Sequence, residues 1–234
     1  MKITFLGHAG FLLEGPEGRI VIDPFITELP TPSLPLADLQ PDLILITHGH
    51  GDHMGDAAEL ARLTGATIVS NVEIANFYKA LGAHSHGMNI GGTWDFGWAK
   101  IKMTQALHSS SAGSNPAQYL GNPGGFLIFM DQLTIYHAGD TGLFGDLALI
   151  GRSRPIDVAL LPIGDNFTMG PEDALEAAKM LRPKHVIPMH YNTWEIIQQD
   201  PQQFKAHVES KTEAEVTILQ PGEQWLLPKK SETC

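Results

Sequence analysis

The segment Leu43-Ile44-Leu45-Ile46-Thr47-His48-Gly49-His50-Gly51-Asp52-His53 constrains this chain more than any other. Its first part is continuously apolar and rich in β-branched residues. Such a run offers no polar side to water, so it predicts a strand buried on both faces. The second part places His48, His50, Asp52 and His53 at the end of that strand. His48 and His50 are two apart, so in extended backbone they point to one side. Gly49 and Gly51 carry no side chain and let the backbone turn sharply. Asp52 and His53 follow where the chain bends toward a helix. Imidazole nitrogens and a carboxylate converging on one small volume suit Zn, Mn, Fe or Ni. A flexible His-rich loop is the competing reading, but runs of that kind belong to tails rather than to the gap between a core strand and a helix.

Four ligands cannot hold two metals, so further donors are expected downstream. They sit where apolar strands end. His108 follows Ala99–Gln105, Asp140 follows Leu133–His137 with Gly139 easing the turn, and His190 follows His185–Pro188. Other predicted strands are Ile3–Leu6, Phe11–Glu14, Arg19–Ile22, Leu43–Thr47, Thr67–Ser70, Gly125–Met130, Val158–Leu161, Val216–Leu219 and Gln224–Leu227. Helices are predicted over Gly55–Leu63, Ile74–Leu81, Pro171–Leu181 and Gln202–Glu209. The third is marked best: Pro171 suits the first helical position, Glu172 and Asp173 suit the first turn, and Ala174, Leu175, Ala178 and Leu181 form one stripe. Strand-rich halves meet near Trp94 with no linker between them. They predict an α/β (α+β) fold in which two mixed sheets pack face to face with helices outside, as one domain over residues 1–228 with a polar tail at 229–234.

Composition narrows the function. Of 234 residues, 43% are hydrophobic, enough for a sizeable core. The net charge of −11 weighs against nucleic acid and anionic membrane as partners, both of which need basic surface. No apolar stretch is long enough to span a bilayer. Met1–Leu13 has one lysine and an apolar run, like a short signal peptide, but His8 interrupts it and Glu14-Gly15-Pro16-Glu17-Gly18 replaces a cleavage site. A β-hairpin in a cytoplasmic protein is the better expectation. The one cysteine, Cys234, provides no disulfide framework and no thiolate metal site. No Gly-x-Ser-x-Gly elbow is present for a serine hydrolase.

The string His48-x-His50-x-Asp52-His53, followed by His108, Asp140 and His190, resembles the metallo-β-lactamase superfamily of dinuclear metal hydrolases. Gly7-His8-Ala9, Leu161–Pro171 and Pro188-Met189-His190-Tyr191-Asn192-Thr193 are similar to the UPF0173 metal-dependent hydrolases, a group related to the ascorbate-phosphate lactonase branch. The resemblance covers nearly the whole chain. It implies a four-layer αββα sandwich. It also implies one metal on His48, His50 and His108, a second on Asp52, His53 and His190, and Asp140 bridging them. The ions would be Zn or Mn, with Fe or Ni as alternatives. A bridging water or hydroxide between them would attack an ester, lactone or phosphoester of a small-molecule substrate, with Asp52 as catalytic proton shuttle. A redox or sensor protein and a non-catalytic metal scaffold, with or without homo-oligomers, are the other classes open to these ligands.

Several residues carry two readings. Asp23, in Ile22-Asp23-Pro24, is either an outer-shell partner of a metal-bound histidine or a turn former. His8 either lines the site or holds a turn. Asp165, Asn166 and Asn192 are candidates for orienting substrate, with turn building as the alternative, and Tyr191 and Trp194 are candidates for lining the pocket. His84 and His86 are expected in a solvated Gly-rich loop. His137 and His185 are expected as packing or hydrogen-bonding residues, and His207 as an inert surface group.

Overall fold

In the strands of this chain, alternate residues are buried on both faces. Ile3 and Phe5 point to one core while Leu6 points to another; Leu43 and Leu45 are likewise divided from Ile44 and Ile46. A sheet apolar on both sides must be covered on both sides, and the computed structural model shows how. It describes residues 1–30, 34–113 and 116–227. The expected tail at 229–234, with Cys234, lies outside the described residues.

The first half runs β1 (Lys2–Gly7), β2 (Gly10–Glu14), β3 (Arg19–Ile22), α1 (Leu36–Leu39), β4 (Leu43–Leu45), α2 (Gly51–Met54), α3 (Ala57–Thr64), β5 (Thr67–Asn71), α4 (Val72–Ala80) and β6 (Ser85–Met88). The second runs β7 (Thr93–Asp95), β8 (Ala99–Gln105), β9 (Ser111–Ala112), β10 (Gln118–Tyr119), β11 (Gly124–Met130), β12 (Leu133–His137), α5 (Leu147–Ser153), β13 (Val158–Pro162), α6 (Pro171–Leu181), β14 (His185–Met189), α7 (Pro201–Lys211), β15 (Glu215–Val216) and β16 (Gln224–Leu226). Among the described residues, one sheet has the order β16-β1-β2-β3-β4-β5-β6 and the other β15-β14-β13-β12-β11-β8-β7, with β9 and β10 as a separate pair.

The two large sheets share one plan. In the first, pairing is antiparallel from β16 to β3 and parallel from β3 to β6. In the second, it is antiparallel from β7 to β12 and parallel from β12 to β15. Phe11, Ile20, Leu45, Ile101, Phe126, Ile128 and Leu160 fill the space between the sheets. Leu60, Ile74 and Tyr78 cover the outer face of the first sheet, and Leu147, Leu175, Leu181 and Phe204 cover that of the second. These are the four layers that the resemblance implied. No helix among the described residues is long and apolar enough to cross a membrane.

Boundaries differ from the sequence reading where backbone geometry overrides pattern. The predicted helix over Gly55–Leu63 is α3, Ala57–Thr64, and a separate helical turn that the sequence reading did not expect, α2, precedes it and ends at Gly55. There φ is +34°, and a Cβ would collide with the Pro24 carbonyl oxygen and the Phe25 backbone. Asp52 and His53 consequently lie on a single helical turn. α4 begins at Val72 because Asn71 caps it, its side chain accepting from the Ile74 amide. His86 stands not in a loop but on edge strand β6, where its ring packs 4.8 Å from that of Trp94. The strand expected over Val216–Leu219 begins a residue earlier and is only two residues long, β15. The fold places Phe126 fully buried between the sheets. Phe126→Ala should therefore lose about 3–5 kcal/mol of stability, readable as a lower urea midpoint with the slope retained.

Candidate metal centre

All the chemistry-bearing loops leave the same end of the two sheets, after β1, β3, β4, β8, β12 and β14. Three of the non-glycine residues with left-handed backbone there stand immediately after a strand: His8 (φ 55°), Asp23 (φ 43°) and His190 (φ 57°). In each, the reversal turns the side chain inward where a continuing strand would carry it past. Conformations of this kind cost about 1–3 kcal/mol each and persist only when packing dictates them. Two glycines make room. At Gly139 φ is +64° and a Cβ would meet the Gly124 carbonyl oxygen at 2.5 Å; at Gly164 a Cβ would sit on the His190 carbonyl oxygen.

The folded chain brings together all seven residues singled out as ligands. His48 Nε2, His50 Nδ1 and His108 Nε2 form one group, with 2.9 Å from His48 to His50 and 3.2 Å from His108 to His50. Asp52, His53 and His190 form another, together with His8. Asp140 Oδ2 lies between them, 3.9 Å from His48 Nε2 and 3.7 Å from His108 Nε2 on one side, 3.2 Å from His53 Nε2 and 2.9 Å from His190 Nε2 on the other. His53 Nε2, His190 Nε2 and Asp140 Oδ1 are buried without a hydrogen-bond partner. Buried polar atoms are normally paired. Unpaired imidazole nitrogens and carboxylate oxygens, turned toward one another, fit a divalent cation.

Asp23 sets the direction of these donors. Its Oδ2 accepts from His53 Nδ1 at 2.7 Å and from the Thr47 hydroxyl at 2.7 Å, while its Oδ1 accepts from the Thr47 amide at 2.9 Å. With its proton given to Asp23, the Thr47 oxygen accepts from His48 Nδ1 at 3.0 Å. One carboxylate thus fixes protons on the Nδ1 atoms of His53 and His48, and leaves their Nε2 lone pairs facing the cluster. Asp23 thus stands at a turn and also holds a histidine of the cluster through its carboxylate. His8 makes a parallel chain: Nε2 donates to Asp52 Oδ2 at 3.0 Å, and Nδ1 accepts from Thr193 Oγ1 at 2.8 Å.

Electrostatics in this buried cluster are strongly coupled. Burial holds His48 well below the usual imidazole range and takes His8 down to about 4 despite the Asp52 carboxylate. Burial acts the same way on His190, but the Asp140 charge overrides it and lifts that ring to about 9. His53 rises as well, against burial, because Asp140 and Asp23 flank it. Burial would raise both carboxyls, fully for Asp140 and partly for the half-buried Asp52, yet the neighbouring histidines keep both well below their ordinary range. Carboxylates therefore stay ionised, while some of the nitrogens hold protons that a cation would have to displace.

Comparison with known proteins agrees with this geometry. The sequence profile described as Beta-lactamase superfamily domain matches residues 2–190. A UPF0173 metal-dependent hydrolase of Desulforamulus reducens is 61% identical over 225 residues, covering 95% of this chain and 98% of the relative. The chain belongs to the UPF0173 metal-dependent hydrolases of the β-lactamase superfamily. A further UPF0173 metal-dependent hydrolase, from Thermococcus kodakarensis, is 51% identical over 227 residues, 96% of this chain and 98% of the relative. Among solved structures, Igni18, a metallo hydrolase from Ignicoccus hospitalis, superposes with a TM-score of 0.89 at 42% identity, over 97% of this chain and 99% of its own.

The remaining candidates of this UPF0173 chain divide. The ligand groups open into a cleft of about 950 Å³ lined by Trp194 and also by Phe25, Glu28, Phe167 and Ile196, which sequence reading missed. Asp165 and Asn166, expected to orient substrate, are not among the lining residues. Both have left-handed backbone, and Asp165 Oδ1 accepts from the Asn166 amide at 2.8 Å, so they build the turn that presents Phe167. Asn192 is also outside the cleft: its Oδ1 accepts from the Gln199 amide at 2.8 Å, and with Tyr191, Thr193 and His8 it borders a neighbouring cavity of about 280 Å³. Ser109, 3.2 Å from His50 Nε2, was legible only as the neighbour of His108. His137 is buried, donating from Nε2 to the Ala9 carbonyl at 2.9 Å and accepting at Nδ1 from the Gly139 amide at 3.1 Å. It ties the His8 hairpin to the turn before Asp140.

Asp23→Asn should weaken metal affinity roughly 10–100-fold, the usual effect of removing such a support, as read by competition with a chromogenic chelator. Since His190 rises to about 9 without cations, zinc uptake at neutral pH should release protons and tighten as pH climbs toward that value. Calorimetry in buffers of different ionisation enthalpy reads both; uptake without proton release would contradict the assigned charge states.

Proposed function

We propose that this chain hydrolyses an ester, lactone or phosphoester bond of a small molecule at a dinuclear metal centre, within a hydrolase domain spanning residues 1–228. One observation carries the reading: two groups of donors, His48/His50/His108 and Asp52/His53/His190, face each other with Asp140 Oδ2 within 3.9 Å of both. In this reading each group would hold one divalent ion, zinc or manganese, with Asp140 as a ligand available to both. When bound, such a pair lowers the pKa of a water and polarises the substrate oxygen.

The chain's own residues have distinct tasks. Asp23 and Thr47 keep the His53 and His48 rings turned toward the centre. His8 donates to Asp52 Oδ2 and so fixes that carboxylate's rotamer. Asp52 is 26% exposed in its side chain against 2% for Asp140. It therefore meets the cleft, where it can accept a proton and pass it to the departing oxygen. Asp140, buried, keeps its charge.

Elemental analysis together with a panel of esters, lactones and phosphoesters tests the proposal. His48→Ala and Asp140→Ala should lose metal, and activity should fall by more than the roughly 100-fold of an outer-shell change, with circular dichroism unchanged. Full metal content with normal turnover in either variant would overturn the assignment. Stoichiometric metal with no turnover of any substrate would favour a non-catalytic scaffold.

A further inference from the structure

The cleft above the donor groups has an apolar character that the metal chemistry does not require. Phe25 follows β3, Phe167 comes from the loop between β13 and α6, and Trp194 and Ile196 follow β14; all four line the cleft. Three segments distant in sequence are thus gathered at one place. The Trp194 ring lies 6.2 Å from that of Phe25 and 4.7 Å from that of His8. Phe167, Trp194 and Ile196 are 50%, 40% and 59% exposed. Leaving side chains of that size in water forgoes about 25 cal/mol per Å² of apolar surface. A cluster of them beside convergent polar groups is the pattern of a ligand site.

Charge selects the kind of ligand. Among the described residues lining the cleft none is Lys or Arg, and Glu28 adds an acid to Asp52 and Asp140. These carboxylates offset much of the charge that two divalent ions bring. Phosphorylated or polyanionic substrates are ordinarily gripped by Arg or Lys, and this cleft has no such group to offer. A neutral molecule meets no opposing field and gains from the apolar side chains.

On the hydrolase reading above, we propose that the substrate is an uncharged carboxylic ester or lactone bearing an apolar acyl or aryl group, held by Phe25, Phe167, Trp194 and Ile196. The metal-loaded protein should hydrolyse 4-nitrophenyl octanoate with a kcat/KM at least about tenfold above that for the acetate, since each buried methylene contributes roughly 0.8 kcal/mol. It should turn over bis(4-nitrophenyl) phosphate more slowly than either. Phe167→Ala and Ile196→Ala should flatten the dependence on chain length through KM, with metal content retained. Octanamide, a neutral non-ester, should bind the loaded protein with a negative heat-capacity change, and more weakly in both variants. A flat acyl series, or preference for the phosphodiester, would overturn the substrate class and leave hydrolysis standing. Absence of turnover for every compound would instead overturn hydrolysis, and octanamide binding would then decide the cleft: binding lost in the variants supports the apolar site, and no binding removes it.

Discussion

The Asp23 carboxylate is the contact on which the centre rests. It is fully buried, it terminates β3, and it accepts from His53, the Thr47 hydroxyl and the Thr47 amide. A buried carboxylate without partners would be expensive, and these three donors remove that cost. Through it the end of β3 is tied to the end of β4, and the rings of His53 and His48 are held with their Nε2 atoms inward. The imidazoles are thereby pre-set for a cation before one arrives, which lowers the reorganisation that binding would otherwise demand.

The double-sheet plan explains why six loops can meet. Both sheets change from antiparallel to parallel pairing at the strand that carries an aspartate, β3 before Asp23 and β12 before Asp140. Strands on either side of that change end at the same edge of the sandwich, so their following loops face one another across the interface between sheets. The strain of left-handed His8, Asp23 and His190 and the mutual repulsion of crowded histidines are offset by the apolar layer directly beneath, where Phe11, Leu45, Leu160 and Met189 are buried. Stability is built in the core and used at the rim.

Around that rim the cleft joins two unlike surfaces. Polar donors gather at its base, some of them buried without a hydrogen-bond partner among the described residues, whereas Phe167, Trp194 and Ile196 present exposed apolar surface above them, with Trp194 resting on His8 and Phe25. His8 borders the neighbouring cavity with Asn192 and Thr193, its ring pinned at both nitrogens by Asp52 and Thr193.

Sequence alone indicated the candidate donors and most of the strands of the two sheets. The continuously apolar Leu43–Ile46 announced a strand covered on both faces, because such a run has no polar side. The donors His48, His50, Asp52, His53, His108, Asp140 and His190 were visible because each follows a strand. Tertiary structure decided the rest. The extra helical turn α2 stops at Gly55, where the Pro24 and Phe25 backbone leaves no room for a Cβ, a close approach that no local pattern records. Asp165, Asn166 and Asn192 stand in turns beside the cleft rather than in its lining, Asp165 and Asn192 accepting from the Asn166 and Gln199 amides. Phe25, Phe167, Trp194 and Ile196 became one surface only when three remote segments met. Periodicity and residue type are local properties of a chain and can be read along it; the identity of the atom opposite a given side chain is set by packing, and packing is a property of the whole fold.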